Sequence, residues 1–295
     1  MNTLSIDWED FGQLLCRDKF NTITLPKDAI DRQTHIILDL LDKTNRKATF
    51  FILGMLADFK PKLVKEIHQR GHEVGIHGSG HIAMDTLTKT DAVDDLYRSV
   101  HTVESLIGTK VYGYRAPYFS VRKENLYVLE ILAELGLIYD SSIFPMKMPR
   151  YGIEGFDDEN KLYQLNNGME IVELPITIFK YKGKRIPIAG GGYMRLMPSF
   201  LIKMIYKQMN SDGIEPMIYM HPYEFDSQPI DCTSNYAIDA NYSKLKSEFL
   251  NLKWNIFRKS ILKKLEYLLI NFEFTTCKQK AEHVKNRTYR PTILG

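Results

Sequence analysis

Residues 47–78, KATFFILGMLADFKPKLVKEIHQRGHEVGIHG, contain the repeat that decides the fold. The apolar and β-branched run 47–53 is typical of a buried strand, whereas residues 58–71 carry apolar side chains at helical spacing. Gly71 stands where a glycine commonly ends a helix. The alternating run 72–78 then predicts a second strand. This stretch therefore predicts a strand, a helix and another strand.

The same alternation continues on both sides of this stretch. Further strands are predicted at 4–8, 111–117, 137–143, 171–178 and 216–224, and further helices at 28–45, 90–108, 123–136 and 199–213. Such a pattern predicts an α/β protein with parallel strands and crossover helices, and it leaves an open sheet and a barrel as alternatives. Residues 144–170 and 180–197 are rich in Pro, Gly and Asn, so we expect long loops there.

Composition and charge narrow the class of protein. The chain has 295 residues, of which 44% are hydrophobic and 25% charged, as is typical of a soluble globular protein. The first residues are acidic where a signal peptide would be basic, so we expect a cytoplasmic location. The three cysteines, Cys16, Cys232 and Cys277, lie far apart, which argues against a disulfide framework or a thiolate zinc site.

Two histidines follow the strand predicted at 72–78. His77 and His81 stand four residues apart across Gly-Ser-Gly, and they could provide two ligands of a metal ion. A catalytic zinc takes three protein ligands from imidazole and carboxylate groups, and Glu9 could supply the third. The alternative is a pair of solvent-exposed loop histidines.

The first predicted strand ends in several carboxylates. Strand alternation places Asp7 and Glu9 on one face and turns Trp8 and Asp10 to the other. Two carboxylates on one face are consistent with a nearby cation, and the alternative is a solvated acidic turn.

Other polar residues fall at the carboxyl ends of later strands. Arg115 follows the fourth predicted strand, Asp140 lies in the fifth and His221 ends the last. Active sites of parallel α/β folds gather at that edge, so one site could include all three. The alternatives are an ion-paired structural arginine and a histidine hydrogen-bonded beneath a proline turn.

Four motifs in this order resemble those of a known family. They are SIDWED (5–10), HGSGH (77–81), RAPY (115–118) and HPYE (221–224), and they resemble the motifs of the polysaccharide deacetylases, the NodB-homology carbohydrate esterases. The resemblance covers residues 1–275 and leaves 276–295 as a basic C-terminal tail. Segments such as YGYRAPYFS, YDSSIFP and GGGYMRLMP resemble the subgroup found with bacterial exopolysaccharide biosynthesis.

The resemblance implies a fold and a metal site. The family fold is a distorted, incomplete (β/α)7 barrel, here followed by a C-terminal basic helix. A divalent metal, with zinc as the expected ion, would be held by Glu9, His77 and His81. Trp8 occupies the position where the family usually has its metal-binding aspartate, so Glu9 would serve instead.

Catalytic roles also follow from the resemblance. Asp7 would be the general base, His221 the general acid, and Arg115 the partner that orients Asp7, with Asp140 in support although its motif matches loosely. These roles fit the hydrolysis of an acetamide, in which water loses a proton and the amine gains one.

The same resemblance suggests how a substrate would be held. A backbone N–H near Tyr118 would stabilise the oxyanion. Tyr118, Tyr193 and Tyr223, together with Phe119 and Tyr151, could line a saccharide groove, or some of them could simply be core.

Three functions are compatible with these residues. The leading prediction is a metal-dependent N-deacetylase of amino sugars in a glycan or glycan precursor. The alternatives are an amide or imide hydrolase of a small metabolite and a catalytically silent carbohydrate-binding protein. The expected partner is an N-acetylated saccharide and not nucleic acid, and the oligomeric state is left open.

The last fifth of the chain is basic. Residues 244–295 contain 12 Lys/Arg and 4 Glu, a net charge of +8, which leaves −5 for residues 1–243 of a chain with +3 overall. Within 249–272, Trp254, Phe257, Ile261, Leu265, Leu268 and Phe272 recur at helical spacing beside Arg258, Lys259, Lys263 and Lys264. This helix could seal the barrel or also contact an anionic membrane.

Overall fold

The computed structural model describes residues 1–12, 29–231 and 244–294. Its strands are β1 Asn2–Trp8, β2 Thr49–Ile52, β3 Glu73–Ile76, β4 Gly113–Tyr114, β5 Tyr139–Asp140, β6 Lys161–Gln164, β7 Glu170–Glu173, β8 Ile178–Tyr181, β9 Lys184–Pro187, β10 Met217–Met220, β11 Phe274–Thr275 and β12 Thr292–Ile293. Its helices of four residues or more are α1 Ala29–Thr44, α2 Gly54–Phe59, α3 Pro61–Gln69, α4 Lys89–Ile107, α5 Tyr127–Glu134, α6 Gly191–Leu196, α7 Ser199–Ser211, α8 Pro222–Phe225, α9 Lys244–Asn255, α10 Ile261–Asn271 and α11 Cys277–Arg287. Cys16 and Cys232 lie outside these described ranges, and Cys277 is buried with a free thiol.

Seven parallel strands form the centre of the molecule. Their spatial order is β10-β1-β2-β3-β4-β5-β7, with β11 also pairing with the beginning of β1. Beyond β7, β6 pairs antiparallel and β12 then pairs parallel to β6. Among the described strands β7 and β10 do not pair, so the barrel stays open between them. The predicted incomplete (β/α)7 barrel is confirmed.

The first strand divides its side chains between two layers. Leu4, Ile6 and Trp8 face outward into the layer of helices, where the Trp8 indole N–H donates to Oγ1 of Thr34 at 2.9 Å. Asp7 faces the barrel interior, as alternation along a strand requires. The strand thereby anchors the helices with one face and supplies the site with the other.

The two predicted long loops contain regular structure, so that prediction is wrong in part. Strand β6, within 144–170, pairs with β7 across a turn that has Gly168 at φ 81°. Within 180–197, β8 and β9 form a hairpin whose two turn residues, Lys182 and Gly183, have φ 47° and 76°. Two consecutive left-handed residues fit the tight turn that a twisted hairpin needs. Both hairpins are short, which is why their turn residues dominate the sequence pattern.

The single helix predicted over 249–272 is interrupted. Helix α9 ends at Asn255, Phe257 adopts a left-handed φ of 54°, and α10 begins at Ile261. The interruption has a tertiary cause, because the buried Arg258 guanidinium donates to the carbonyl of Tyr223. Leu265 and Leu268 of α10 are fully buried as predicted, whereas Phe257 is 61% exposed and does not join their stripe.

The segment after residue 275 packs on the sheet. Helix α11 contacts β1, β6 and β7, and the backbone N–H of Cys277 donates to Oγ1 of Thr49 at 2.8 Å. The boundary between a catalytic domain and a basic tail at 275/276 stays a prediction. No helix in the described ranges is both long and apolar enough to cross a membrane.

A buried histidine makes the stability of this fold depend on pH. His72 is 3% exposed, and its ring lies 5.3 Å from that of Phe50. Burial, followed by the charge of Lys47, lowers the pKa of His72 to about 4. The unfolded pKa is about 6.5, so the stabilisation is complete above that pH and is lost as the pH falls toward about 4.

Between about pH 7 and pH 4 we expect the wild type to lose more of its free energy of unfolding than the variant His72→Gln, which has no group that titrates at this position. The extra loss in the wild type should reach up to about 3 kcal/mol. Urea unfolding of both proteins across this range measures the difference, because the other titrating groups are common to both. Parallel stability curves would contradict the assignment.

Candidate active site

One cavity opens at the carboxyl ends of β1, β3, β4 and β10. Its volume is about 330 Å³, and its lining brings together Asp7, Glu9, Phe11, His77, His81, Ala116, Tyr118, Phe119, Arg150, Tyr151, Tyr219, His221, Tyr223, Leu250, Lys253 and Trp254. Seven of the ten predicted site residues therefore meet in one place. Asp140, Arg115 and Tyr193 do not line the cavity.

The predicted metal ligands form a compact group at the base of the cavity. Oε2 of Glu9 lies 2.7 Å from Nε2 of His81 and 3.4 Å from Nε2 of His77. Nδ1 of His77 lies 2.8 Å from the carbonyl oxygen of Arg115 and donates a proton to it. This bond occupies Nδ1, so Nε2 of His77, which points toward Glu9, is the ring nitrogen available to a cation.

These three residues fit a divalent cation. One ligand atom from each lies within 4.8 Å of the other two, and zinc with bonds of 2.0–2.1 Å would place its ligands about 3.3 Å apart. Oε2 of Glu9 is buried and accepts no well-aligned hydrogen bond despite its short contacts. Burial disfavours ionisation of Glu9, but the His81 and His77 imidazoles outweigh it and hold the pKa of that carboxyl well below its usual range. The geometry and charge suit a Glu-His-His metal site.

The loop between the two histidines is held from both sides. The carboxylate of Asp95, on α4, accepts the N–H of Ser79 at 3.0 Å and that of Gly80 at 3.2 Å. The first N–H groups of α2 donate to the carbonyls of Gly78 and Ser79 at 3.0 and 2.8 Å. His81 follows with a left-handed φ of 53°, a conformation that this clamp supports.

Arg115 and Asp7 form a buried ion pair beside the metal ligands. The guanidinium is 0% exposed, and its Nη1 lies 2.7 Å from Oδ1 of Asp7. Ser5 and Ser141 accept its other N–H groups at 2.7 to 3.1 Å, and the ring of Phe51 lies 4.4 Å from its central carbon. Asp7 is therefore held in one orientation at the cavity wall.

His221 approaches the metal ligands from the last parallel strand. Its Nε2 lies 3.3 Å from Oε1 of Glu9, and its Nδ1 lies 3.3 Å from Oε2 of Glu224. Burial lowers the pKa of His221, but Glu224 and Glu9 together outweigh it and raise the pKa to about 9. Glu224 reaches this position because Gly191 leaves room, since a Cβ there would meet its carboxylate at 2.1 Å.

Asp140 lies one layer behind the cavity. Its carboxylate accepts the hydroxyl and the N–H of Ser142, and the Ser142 hydroxyl oxygen in turn accepts the N–H of Ala116 at 2.7 Å. Glu173 is its register partner on β7, and burial raises the pKa of both carboxyls. The contacts are those of a residue that supports the turn after Arg115.

The predicted aromatic residues separate into two groups. Tyr118 and Tyr223 line the cavity, with the Tyr118 ring 4.7 Å from that of His81 and the Tyr223 ring stacked on His221 at 5.4 Å. Tyr193 lies outside the lining, beside the hydroxyl of Tyr151. Phe119 and Tyr151 also line the cavity, so most of these side chains are available to a ligand.

Sequence reasoning missed several residues of the site. Asp95 stands on the buried stripe of its helix with Ala92, Leu96 and Ser99, and an acid on such a stripe is the signal that could have revealed it. Trp254 and Lys253 line the cavity from α9, more than 240 residues after Asp7, and no local pattern connects them to it.

Two family profiles match consecutive parts of the chain. Residues 19–139 match the polysaccharide deacetylase family, and residues 141–282 match a domain of unknown function, DUF3473. A peptidoglycan deacetylase of Helicobacter pylori is 30% identical over 126 residues, which is 43% of this chain and 42% of that protein. The chain spans less than half the length of the curated relatives it matches first.

Solved structures share the fold over nearly the whole chain. A putative polysaccharide deacetylase from Mycobacterium smegmatis has a TM-score of 0.62 at 19% identity, covering 100% of this chain and 94% of that one. Puue allantoinase has a TM-score of 0.61 at 14% identity, covering 98% and 91%. Identities this low establish the common barrel fold alone.

Loss of the Asp95 carboxylate should weaken the metal site. In Asp95→Asn one backbone N–H of the loop would face an amide N–H instead of an oxygen, so we expect metal affinity to fall by about 10- to 100-fold. Calorimetric titration of the metal-free protein measures this change.

Asp94→Asn is the matched control, because Asp94 is exposed on the same helix. Equal metal affinity in both variants would show that Asp95 does not position the histidine loop. A lower melting temperature with unchanged affinity would assign it a structural role only.

Proposed function

We propose, from the match of residues 19–139 to the polysaccharide deacetylase family, that the protein is a metal-dependent hydrolase that removes N-acetyl groups from amino sugars of a glycan or glycan precursor. One observation carries the proposal: Asp7 and His221 flank the Glu9-His77-His81 group inside a single cavity. A base, an acid and a metal site are the groups that hydrolysis of an amide requires.

Glu9, His77 and His81 would hold the metal, and two imidazoles with one carboxylate are a ligand set of catalytic zinc. A bound zinc ion would supply an activated water and polarise the acetamide carbonyl. The ion pair with Arg115 keeps Asp7 directed at this point.

The remaining steps fall to side chains of the chain. Asp7 accepts a proton from the attacking water while the oxygen of that water bonds to the carbonyl carbon. His221 donates a proton to the nitrogen, the carbon–nitrogen bond breaks, and acetate and a free amine leave. Glu224 supports His221 because it accepts a hydrogen bond from the Nδ1–H group and leaves Nε2 to serve the substrate.

The walls of the cavity support a saccharide substrate. Tyr118, Tyr151, Tyr223 and Trp254 contribute aromatic side chains to the lining, and such side chains combine an apolar ring with a polar group that can meet a sugar. The lining includes the exposed side chains of Arg150 and Lys253, so the cavity opens to the surface and could admit part of a longer chain. An open cleft favours a glycan over a small metabolite. The place in exopolysaccharide biosynthesis and the cytoplasmic location stay predictions.

His77→Ala should abolish both metal binding and acetate release. The site lies at the mouth of the barrel, so we expect the fold to remain, with an unchanged far-ultraviolet circular dichroism spectrum. Elemental analysis and an acetate assay on N-acetylhexosamine oligomers and peptidoglycan fragments measure the two losses. Full activity of a metal-free His77→Ala protein would refute the proposed site.

Asp7→Asn should keep metal and saccharide binding and lose turnover. A general base contributes about 10²- to 10⁴-fold, so we expect kcat to fall by that factor with little change in KM. Asp58→Asn, an exposed change on α2, is the control. A defect confined to KM would show that Asp7 binds substrate and is not the base. A wild-type protein that binds saccharide without turnover would instead support a carbohydrate-binding function.

A further inference from the structure

Helix α9 has two apolar faces, of which the described residues cover one. Leu250 and Trp254 pack with Phe11 at the cavity. Leu245, Phe249 and Leu252 follow one another at spacings of four and three residues, so they share the opposite face of the helix. Their exposed fractions are 78%, 65% and 64%, which is unusual for adjacent large apolar residues.

Further exposed apolar side chains stand on α6, on α7 and just after α9. The other members of this surface are Leu196 at the end of α6, Phe200 and Met204 on α7, and Phe257 after α9. We call the set, with Leu245, Phe249 and Leu252, the α9 surface. Arg195 connects α6 to the end of α9, because its guanidinium donates to the carbonyl of Trp254 at 3.1 Å. The ammonium of Lys264, on α10, donates to three carbonyls of α6 and the residue after it.

Lysines are interleaved with these apolar side chains. On α7, Lys203 and Lys207 alternate with Phe200 and Met204 along one exposed face. Lys263 of α10 lines a small depression together with Lys203, and the exposed Lys259 lies between α9 and α10. Helix α9 contains one acidic residue, Glu248. The surface is therefore apolar and cationic at once.

We propose that the α9 surface docks on an anionic lipid bilayer. Helices that lie on membranes combine Leu and Phe on one face with Lys and Arg beside them. Protein–protein interfaces, by contrast, are depleted in lysine. The charge of the surface complements anionic headgroups, and juxtaposed lysines strengthen such binding.

The residues that carry this proposal differ from those that the sequence pattern suggests. Arg258 and Lys264 are buried and donate to backbone carbonyls, so neither can meet a headgroup. The inference does not depend on the proposed deacetylase activity, because docking uses the outer face of α9 and the cavity uses the inner one. Docking would place the cavity wall formed by Leu250 and Trp254 next to the lipid surface.

Sedimentation with vesicles tests the proposal on the full chain. We expect the wild type to sediment at low salt with vesicles of phosphatidylcholine and phosphatidylglycerol in equal parts, and to stay in solution with phosphatidylcholine alone. Raised salt should weaken the binding, because the Debye length falls to about 8 Å at physiological ionic strength. A wild-type protein that stays in solution with the anionic vesicles at low salt would overturn the proposal.

Two pairs of variants separate the apolar and the cationic contributions. The double variant Phe249→Ser with Leu252→Ser should bind the anionic vesicles at least about tenfold more weakly than the wild type. The control is Phe59→Ser, which changes an exposed phenylalanine on α2 and should bind like the wild type. Replacing Lys259 and Lys263 by Gln should weaken binding about fivefold per lysine. The same changes at the exposed Lys62 and Lys65 of α3 are the control.

Two further results would also decide against the membrane. Equal binding by all variants would show that another surface meets the vesicles. Analytical ultracentrifugation could also show a dimer. If the double variant Phe249→Ser with Leu252→Ser dissociated that dimer and anionic vesicles did not, the surface would be assigned to a second copy of the chain. Acetate release from soluble oligomers, measured alongside, reports on the proposed function separately and should be equal in all of these variants.

Discussion

The buried ion pair between Arg115 and Asp7 is the interaction on which the site depends. Arg115 contacts the first, second and fifth strands or the turns after them, and the carbonyl of the same residue orients His77. Removing one partner of a buried pair typically costs about 3–5 kcal/mol, because the other charge stays without compensation. Asp7 and His77, which we propose as the general base and a metal ligand, are thereby both positioned by one residue.

Strand alternation and the strand-end rule made much of this arrangement predictable. Asp7 and Glu9 share a face because side chains alternate along a strand, and His77 lies beside them because parallel strands end at one edge. The parallel strands and their crossover helices followed from the repeat of strand and helix. These features depend on neighbours in sequence or on a general rule of packing, and a single sequence contains both.

What the sequence did not reveal depends on contacts between distant segments. Asp95 reaches the histidine loop from a helix 15 residues later, and Trp254 reaches the cavity from the end of α9. Apolar residues in 249–272 do recur at helical spacing, but the helix is interrupted near Arg258. Its guanidinium donates to the carbonyl of Tyr223, which belongs to a distant segment of the chain. Asp140 has the strand position expected of a site residue, but its carboxylate serves Ser142 instead. Periodicity reports the local preference and not the tertiary contact that overrides it.

The pairing of the first strand has a consequence for how the protein is made. β1 is bordered by β10 and β11 as well as by β2, and the hydrogen bond from Ser5 to Ile218 joins residues 213 apart in the chain. Contacts of such long range slow folding, because a large loop must close before they form. During synthesis the strand that carries Asp7 emerges well before β10, so its pairing with β10 must wait until Met220 has been added. The cavity, which needs His221 beside Glu9, is therefore completed later than the pairing of β1 with β2.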